Sequence, residues 1–122
     1  MRRKIGFFSE PVVRTLNLTI PIGTPIYIAD SNIEHMMTSH PRDYEKYKDY
    51  LPNIIANPDY VGKNTKDDSI EFTKEYFING EYVKVAVRVS SNNIFYVRSM
   101  YVLNPNRVKN FISKGTLLKL DK

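Results

Sequence analysis

The alternation of apolar and polar residues between Glu81 and Ser90 constrains the fold of this chain more than any other feature. Valine occupies every second position from 83 to 89. Only a β-strand, whose side chains have a two-residue period, brings such positions onto one face. Turn dipeptides border the run on both sides, Asn79-Gly80 before it and Ser91-Asn92 after it. The pattern therefore predicts a central antiparallel strand joined by tight loops to a strand on each side.

The flanking strands are predicted over residues 69–77 and 94–103. Two-residue loops fix the register, and the register decides which side chains share a face. The expected pairs are Phe77–Tyr82, Glu75–Lys84, Thr73–Ala86 and Glu71–Arg88 in the first hairpin, and Arg88–Phe95, Ala86–Val97, Lys84–Ser99 and Tyr82–Tyr101 in the second.

This register predicts one apolar face and one polar face. The apolar face collects Val83, Val85, Val87, Val89, Ile94, Tyr96, Met100, Phe72 and Tyr76, with Arg98 as an exception. The polar face collects Glu71, Glu75, Lys84, Arg88, Ser99, Tyr82 and Tyr101. That face is either a ligand surface or simply a solvated face with cross-strand ion pairs. A one-residue slip in the second turn would move Arg98 onto it and Ser99 off it.

Helix signals precede these strands. A short strand over residues 25–29 leads into a capping box, in which Glu34 follows Ser31 by three residues. The helix should end near Ser39, because Pro41 disfavours helical geometry in the residue before it and can open the next helix. That second helix carries an aromatic stripe of Tyr44, Tyr47 and Tyr50 with Leu51. Further along, Asn104 should cap a short helix that Gly115 ends, before a last strand over 116–120.

Helices followed by a strand meander are typical of α+β architecture. We expect N-terminal helices packed on a four- to five-stranded antiparallel sheet. A chain of 122 residues fits one domain. Within it, residues 1–23 are expected to form a strand or an ordered arm, and residues 24–120 the core.

The chain is basic, with a formal net charge of +5 and a pI near 9.4. This balance favours polyanions, nucleic acid first, although many small basic proteins bind none. There is no cysteine, which excludes disulfides and thiolate nucleophiles. No apolar run is long enough to span a bilayer or to act as a signal peptide. We therefore expect a cytoplasmic protein without membrane association.

Two histidines, His35 and His40, are the candidates for proton transfer, since this residue type titrates near neutral pH. Five residues turn a helix by about 500°, so their rings should lie about 140° apart. They are therefore not a metal-binding pair, and we expect no metal site. The alternative is a packing role for His35 and a surface position for His40. No phosphate-binding or dinucleotide-binding glycine motif is present, and no cofactor is expected.

Three stretches carry a resemblance: SNIEHMM with SHP at 31–41, LPNIIANPDYVG at 51–62, and the strands over 83–90 and 96–101. Together they resemble the phage-borne branch of the barnase–EndoU–colicin–RelE ribonuclease superfamily over about residues 24–120. The resemblance implies two helices packed on a four-stranded antiparallel sheet. It also implies metal-independent cleavage of RNA, in which the ribose 2′-hydroxyl attacks the adjacent phosphate and leaves a 2′,3′-cyclic phosphate.

The resemblance also implies roles for particular residues. His35 would be the base or the acid, and His40 is a second candidate. Arg88 would stabilise the phosphate, since a guanidinium fork suits its oxygens. Ser99 and Tyr101 match a hydroxyl-plus-tyrosine pattern and would bind phosphate or orient the nucleophile, with serine standing where threonine is expected.

The implied partner is RNA, and a toxin or phage effector would also have an antitoxin or immunity protein. It would act in the host cytoplasm if it is phage-encoded. The alternative is a catalytically inactive module that uses the same scaffold to bind RNA or protein. The sequence does not indicate an oligomeric state.

Overall fold

The central strand lies where the valine alternation predicts it, in the middle of a seven-stranded sheet. The computed structural model describes residues 1–76 and 80–120. Within them the strands are β1 (Arg2–Phe7), β2 (Pro25–Ala29), β3 (Tyr60–Lys63), β4 (Ile70–Tyr76), β5 (Glu81–Val89), β6 (Phe95–Leu103) and β7 (Leu118–Lys119). Their order across the sheet is β1-β2-β6-β5-β4-β3-β7. The α+β class is confirmed, whereas the expected four to five strands are too few.

The helices are α1 (Glu10–Leu16), α2 (Asp30–Ser39), α3 (Pro41–Tyr47), α4 (Leu51–Ala56) and α5 (Pro105–Ser113), with a 3-10 helix at Lys48–Tyr50. The helices are not only N-terminal, because α5 follows the strand meander at the place where Asn104 predicted a short helix. None of the helices in the described part of the chain is long and apolar enough to cross a membrane.

The N-terminal segment belongs to the sheet and the core. Its strand is β1, which pairs antiparallel with β2, whereas the Pro11-Val12-Val13 run forms part of α1. Pro11 suits the first turn of a helix, and Val12 and Val13 are buried in the main core beside Phe8. Burial in the core thus outweighs the β-propensity of the valines.

Two of the three predicted helix starts are confirmed. Pro41 opens α3, and the Asn104 side chain accepts a hydrogen bond of 2.9 Å from the Asn106 N–H at the start of α5. The Ser31 capping box is not formed. Instead, the Asn32 side chain accepts a hydrogen bond of 2.8 Å from the backbone N–H of Ala29.

The first hairpin keeps the predicted faces but not the predicted register. Glu75 pairs with Tyr82, Thr73 with Lys84, and Glu71 with Ala86, which is a shift of two residues. A shift of two preserves which face each side chain occupies. The predicted Asn79-Gly80 loop and the Phe77–Tyr82 pair each include a residue of the segment 77–79, which lies outside the described part of the chain.

The second hairpin differs in a way that changes a face. Its loop is longer than two residues, with Asn93 in the left-handed region, so that Arg88 pairs with Tyr96. Ala86 pairs with Ser99 while Val87 pairs with Val97, and the residue between them, Arg98, is therefore an extra one. The other predicted pairs are also replaced, by Lys84–Tyr101 and Tyr82–Leu103. This β-bulge moves Val97 into the core, fully buried, in place of the predicted Tyr96.

Two apolar clusters lie on opposite faces of the sheet. The main core, between the sheet and helices α1 to α4, is built from residues such as Val83, Val85 and Val87. A smaller cluster of Leu103, Val108 and Leu117 lies under α5 on the other face. The polar face is therefore partly covered, and only its remaining area can hold a ligand.

The edge of β6 is where the helices meet the sheet. Strand β2 pairs with β6 in parallel at two positions only, Ile26–Phe95 and Tyr27–Tyr96, so the predicted fully antiparallel sheet is wrong there. Beyond that point α2 and α3 lie along β6. Asp43 of α3 accepts a hydrogen bond of 3.0 Å from the Val102 N–H, which satisfies a donor on that edge.

The close approach of the C-terminal segment to β3 gives a stability prediction. A methyl group at Gly62 would overlap the backbone carbonyl oxygen of Thr116, which cannot move aside alone. We expect Gly62→Ala to lower the free energy of unfolding by at least about 2 kcal/mol. Gly6→Ala is the matched comparison, because its added methyl meets a side chain instead of backbone, with Ile55 Cγ2 at 2.8 Å. Urea unfolding of both variants measures the difference. A Gly62→Ala variant that is no less stable than Gly6→Ala would contradict this packing.

Candidate active site

A cavity of about 140 Å³ opens on the polar face, beside α2. We refer to it as the histidine cavity. The residues that line it come from α2, the loop before β4, and strands β5 and β6: His35, Asp67, Ser69, Ala86, Arg88, Arg98 and Ser99. Three of the five residues singled out from the sequence, His35, Arg88 and Ser99, thus share one cavity.

The bulge in β6 explains why two consecutive residues contribute to the histidine cavity. In a regular strand, neighbouring side chains point to opposite faces, so Arg98 and Ser99 would be separated. The extra residue between Val97 and Ser99 places both on the polar side. Sequence reasoning placed Arg98 on the core face, which is wrong. The slip considered as an alternative would have exchanged the two residues, whereas the bulge retains both.

The guanidinium of Arg98 therefore lines the same cavity as that of Arg88, which the sequence analysis singled out. Arg88 comes from the regular strand β5 and is half-buried, whereas Arg98 is exposed. Both also line a second cavity of about 300 Å³ that includes Ser31 and Asn32 at the start of α2, together with Tyr96. Paired guanidiniums can hold several oxygens of one phosphate group.

Asp67 and Ser69, which belong to the loop before β4, also line the histidine cavity, and the sequence analysis did not single them out. The Asp67 Oδ1 accepts hydrogen bonds from the Ser69 hydroxyl at 2.7 Å and the Ser69 N–H at 3.0 Å. These bonds lower the pKa of Asp67, and the positive charge of Arg88 lowers it further. A carboxylate that stays ionised can hold the loop and the guanidinium in place.

The two other sequence candidates, His40 and Tyr101, are absent from the lining of the histidine cavity but contact each other. Their rings stack with centroids 4.8 Å apart and planes inclined by 24°. Tyr101 follows Ser99 by two residues on β6, which places the phenol about 7 Å further along the same face. The pair therefore flanks the cavity.

His35 is exposed, and its Nε2 lies 3.5 Å from the Ser39 hydroxyl, one helical turn further on. Its neighbour Met36 is buried in the main core and fixes the rotation of α2. The imidazole is thus held on the cavity side of the helix while remaining accessible to a ligand.

A buried ion pair supports the floor of the polar face. The Lys84 Nζ lies 2.8 Å from a carboxylate oxygen of Glu71, and both side chains are largely buried. Burial by itself would lower the pKa of Lys84, but the hydrogen bond and charge of Glu71 outweigh it, so that the pKa is raised. Tyr101 adds a smaller contribution in the same direction. Lys84 is therefore a fixed cation on the polar face.

Within residues 1–76 and 80–120, no three His, Asp or Glu side chains are grouped in a way that could hold a metal ion. The positive charge around the histidine cavity comes from arginine side chains.

The ion pair gives a second prediction. Glu71→Gln keeps the shape but leaves the Lys84 charge buried beside a neutral amide, which should destabilise the fold by about 3 kcal/mol. The double variant Glu71→Gln/Lys84→Met removes the charge and should recover most of that loss, as measured by urea unfolding at pH 7. Because the pKa of Lys84 is raised, its stabilising contribution is complete below about pH 10.5 and is lost as the pH rises beyond the raised value. Equal stability of the single variant and the wild type would contradict this account.

Comparison with known proteins supplies the family. The chain matches a family model described as phage-Barnase-EndoU-ColicinE5/D-RelE like nuclease 3 over residues 3–110. No curated protein and no solved structure matches it significantly. The match begins in β1 and ends within α5, so it includes every strand that lines the histidine cavity. The chain belongs to this phage-associated family of nucleases, whose substrates are nucleic acids.

Proposed function

We propose that this protein is a metal-independent endoribonuclease. The ribose 2′-oxygen attacks the adjacent phosphorus, the bond from phosphorus to the 5′-oxygen breaks, and the products are a 2′,3′-cyclic phosphate and a free 5′-hydroxyl. The 2′-proton passes to a base and the leaving oxygen receives a proton from an acid. No external nucleophile or oxidant is needed.

One observation carries the proposal: an accessible imidazole, two guanidiniums and a hydroxyl line a single cavity. Metal-free transesterification requires a proton acceptor and fixed positive charge around the pentacoordinate phosphorus. His35 supplies the first and Arg88 with Arg98 the second. The family assignment independently indicates nucleic acid as the substrate.

In this proposal His35 accepts the proton from the 2′-hydroxyl. Arg88, which lies near enough to Asp67 to lower the pKa of that carboxyl, and Arg98 bind the non-bridging phosphate oxygens and stabilise their charge in the transition state. Ser99 donates a hydrogen bond to the same phosphate. The two arginines come from different strands, so the phosphate is held from two directions.

The protonation of the leaving oxygen is assigned to the His40–Tyr101 pair. The two rings are stacked, and Tyr101 follows Ser99 of the histidine cavity by two residues on β6. A base and an acid on opposite sides of the phosphate suit an in-line displacement, in which the nucleophile enters opposite the leaving group. His35 and His40 thus have distinct roles.

Cleavage of RNA in EDTA tests the mechanism. We expect the wild type to produce 2′,3′-cyclic phosphate ends, and His35→Ala to reduce kcat by about 10² to 10⁴. Arg98→Ala should reduce kcat by about 10² to 10³, because it removes charge stabilisation from the transition state. The product ends can be identified by mass spectrometry.

Arg14→Ala is the matched control for Arg98→Ala, because both variants remove one arginine charge. Arg14 lies on α1, which packs on the opposite face of the sheet. Unchanged cleavage by His35→Ala would remove His35 from the mechanism. Binding of RNA without any cleavage by the wild type would favour the inactive binding module instead. Cleavage of a substrate with 2′-deoxyribose at the scissile position would exclude attack by the 2′-hydroxyl.

We further propose that the cleavage serves a toxin or phage effector that acts in the host cytoplasm and is restrained by an antitoxin or immunity protein. Induced expression of the wild type in bacteria should arrest growth and shorten cellular RNA, whereas His35→Ala at the same protein level should do neither. Equal growth arrest by both would show that toxicity does not depend on the catalytic cavity.

A further inference from the structure

A larger groove of about 370 Å³ lies beside the histidine cavity, between α5 and the loop that precedes β4. We refer to it as the α5 groove. Its walls are basic and aromatic and include Lys63, Lys66, Lys84, Arg107, Tyr101 and Phe111. None of the proposed phosphate-binding residues of the histidine cavity lines it.

The α5 groove has a surplus of positive charge. Its one carboxylate, Glu71, is already paired with Lys84 at 2.8 Å. No carboxylate within the described residues forms an ion pair with Lys63, Lys66 or Arg107. A cavity wall with three exposed cations attracts a polyanion rather than an apolar ligand.

Aromatic rings lie among these cations. The Arg107 guanidinium carbon is 5.5 Å from the centre of the Phe111 ring, and the Lys84 Nζ is 5.4 Å from the centre of the Tyr101 ring. Phe111 and Tyr101 are each only half-buried, so part of each ring is accessible. Cations interleaved with accessible rings are typical of surfaces on which unpaired bases stack while their phosphates are bound.

The α5 groove and the histidine cavity are lined by neighbouring residues of the same two segments. One chain segment supplies both, since residues 63–66 line the groove whereas Asp67 and Ser69 line the cavity. Strand β6 does the same, with Ser99 in the cavity and Tyr101 in the groove. A strand of RNA whose phosphate occupies the cavity can therefore extend towards the groove.

We infer that the α5 groove binds the first nucleotide beyond the two that flank the scissile phosphate in single-stranded RNA, and this rests on the proposed ribonuclease function. Lys66 and Arg107 bind the phosphate of that nucleotide, and Phe111 contacts its base. The groove makes the enzyme prefer single-stranded RNA that extends beyond the two nucleotides flanking the cleaved bond.

Two variants with equal loss of charge test this inference. Lys66→Ala/Arg107→Ala alters the α5 groove. Arg14→Ala/Lys48→Ala removes two cations that form exposed ion pairs with Glu10 and Glu45, away from the groove, and such pairs contribute little to stability. Both are assayed with a single-stranded RNA octamer and with a dinucleotide, at several salt concentrations.

The groove variant should raise KM for the octamer roughly tenfold while leaving kcat/KM for the dinucleotide within about twofold. The slope of log affinity against log salt should decrease by about 0.7, which is the value for the loss of one phosphate contact on a single strand. Phe111→Leu keeps the apolar contacts under α5 and should weaken octamer binding while leaving the salt slope unchanged. The control variant should behave as wild type on both substrates.

Equal KM values of the groove and control variants on the octamer would overturn the inference while leaving the ribonuclease proposal intact. If the wild type cleaves neither RNA, the proposed function fails. Binding of the intact octamer, measured by fluorescence anisotropy, then tests whether the α5 groove binds RNA. Weaker binding by the groove variant alone would still support the groove. Equal binding by both variants would overturn it.

Discussion

The structure of the candidate site depends on one extra residue in β6. A regular pairing of β5 with β6 would send the side chains of Arg98 and Ser99 to opposite faces. The bulge keeps both on the polar face and, at the same time, turns Val97 into the core. β-Bulges are frequent next to active sites, where they redirect a side chain without breaking the sheet. Here the bulge brings the Arg98 guanidinium into the same cavity as the predicted guanidinium of Arg88.

Much of the fold could be predicted from the sequence because its signals are local. The valine alternation identified β5, and Pro41 and Asn104 identified two helix starts. Pro41 acts through its restricted backbone, and Asn104 acts through a hydrogen bond from its side chain to the backbone two residues further on. The polar face of β4 and β5 was also predicted correctly despite the wrong register. A shift of two residues exchanges partners but not faces, so the wrong pairing left the prediction of the faces intact.

The bulge could not be predicted in the same way. Residues 95–103 read equally well as a regular strand with Tyr96 inside or with Val97 inside, because aromatic and apolar residues occupy both sets of alternate positions. Which set is buried depends on the helices that cover the sheet, which is long-range information. The same holds for Asp67, whose role depends on Arg88, twenty-one residues away in sequence. Such residues carry no local signal of a site.

The position of the histidine cavity follows from how the two faces of the sheet are covered. Helices α1 and α4 fill one face, and α5 covers part of the other with Val108 and Phe111. Strand β2 leaves β6 after two pairs, and α2 then lies along the free edge. The uncovered part of the polar face is therefore bounded by α2 and α5. His35 lies at the first boundary and Arg107 at the second, and the cations Arg88, Arg98, Lys63 and Lys66 line the cavities between them. A single strand of nucleic acid, which is both extended and anionic, fits the opening between α2 and α5 better than a compact ligand does.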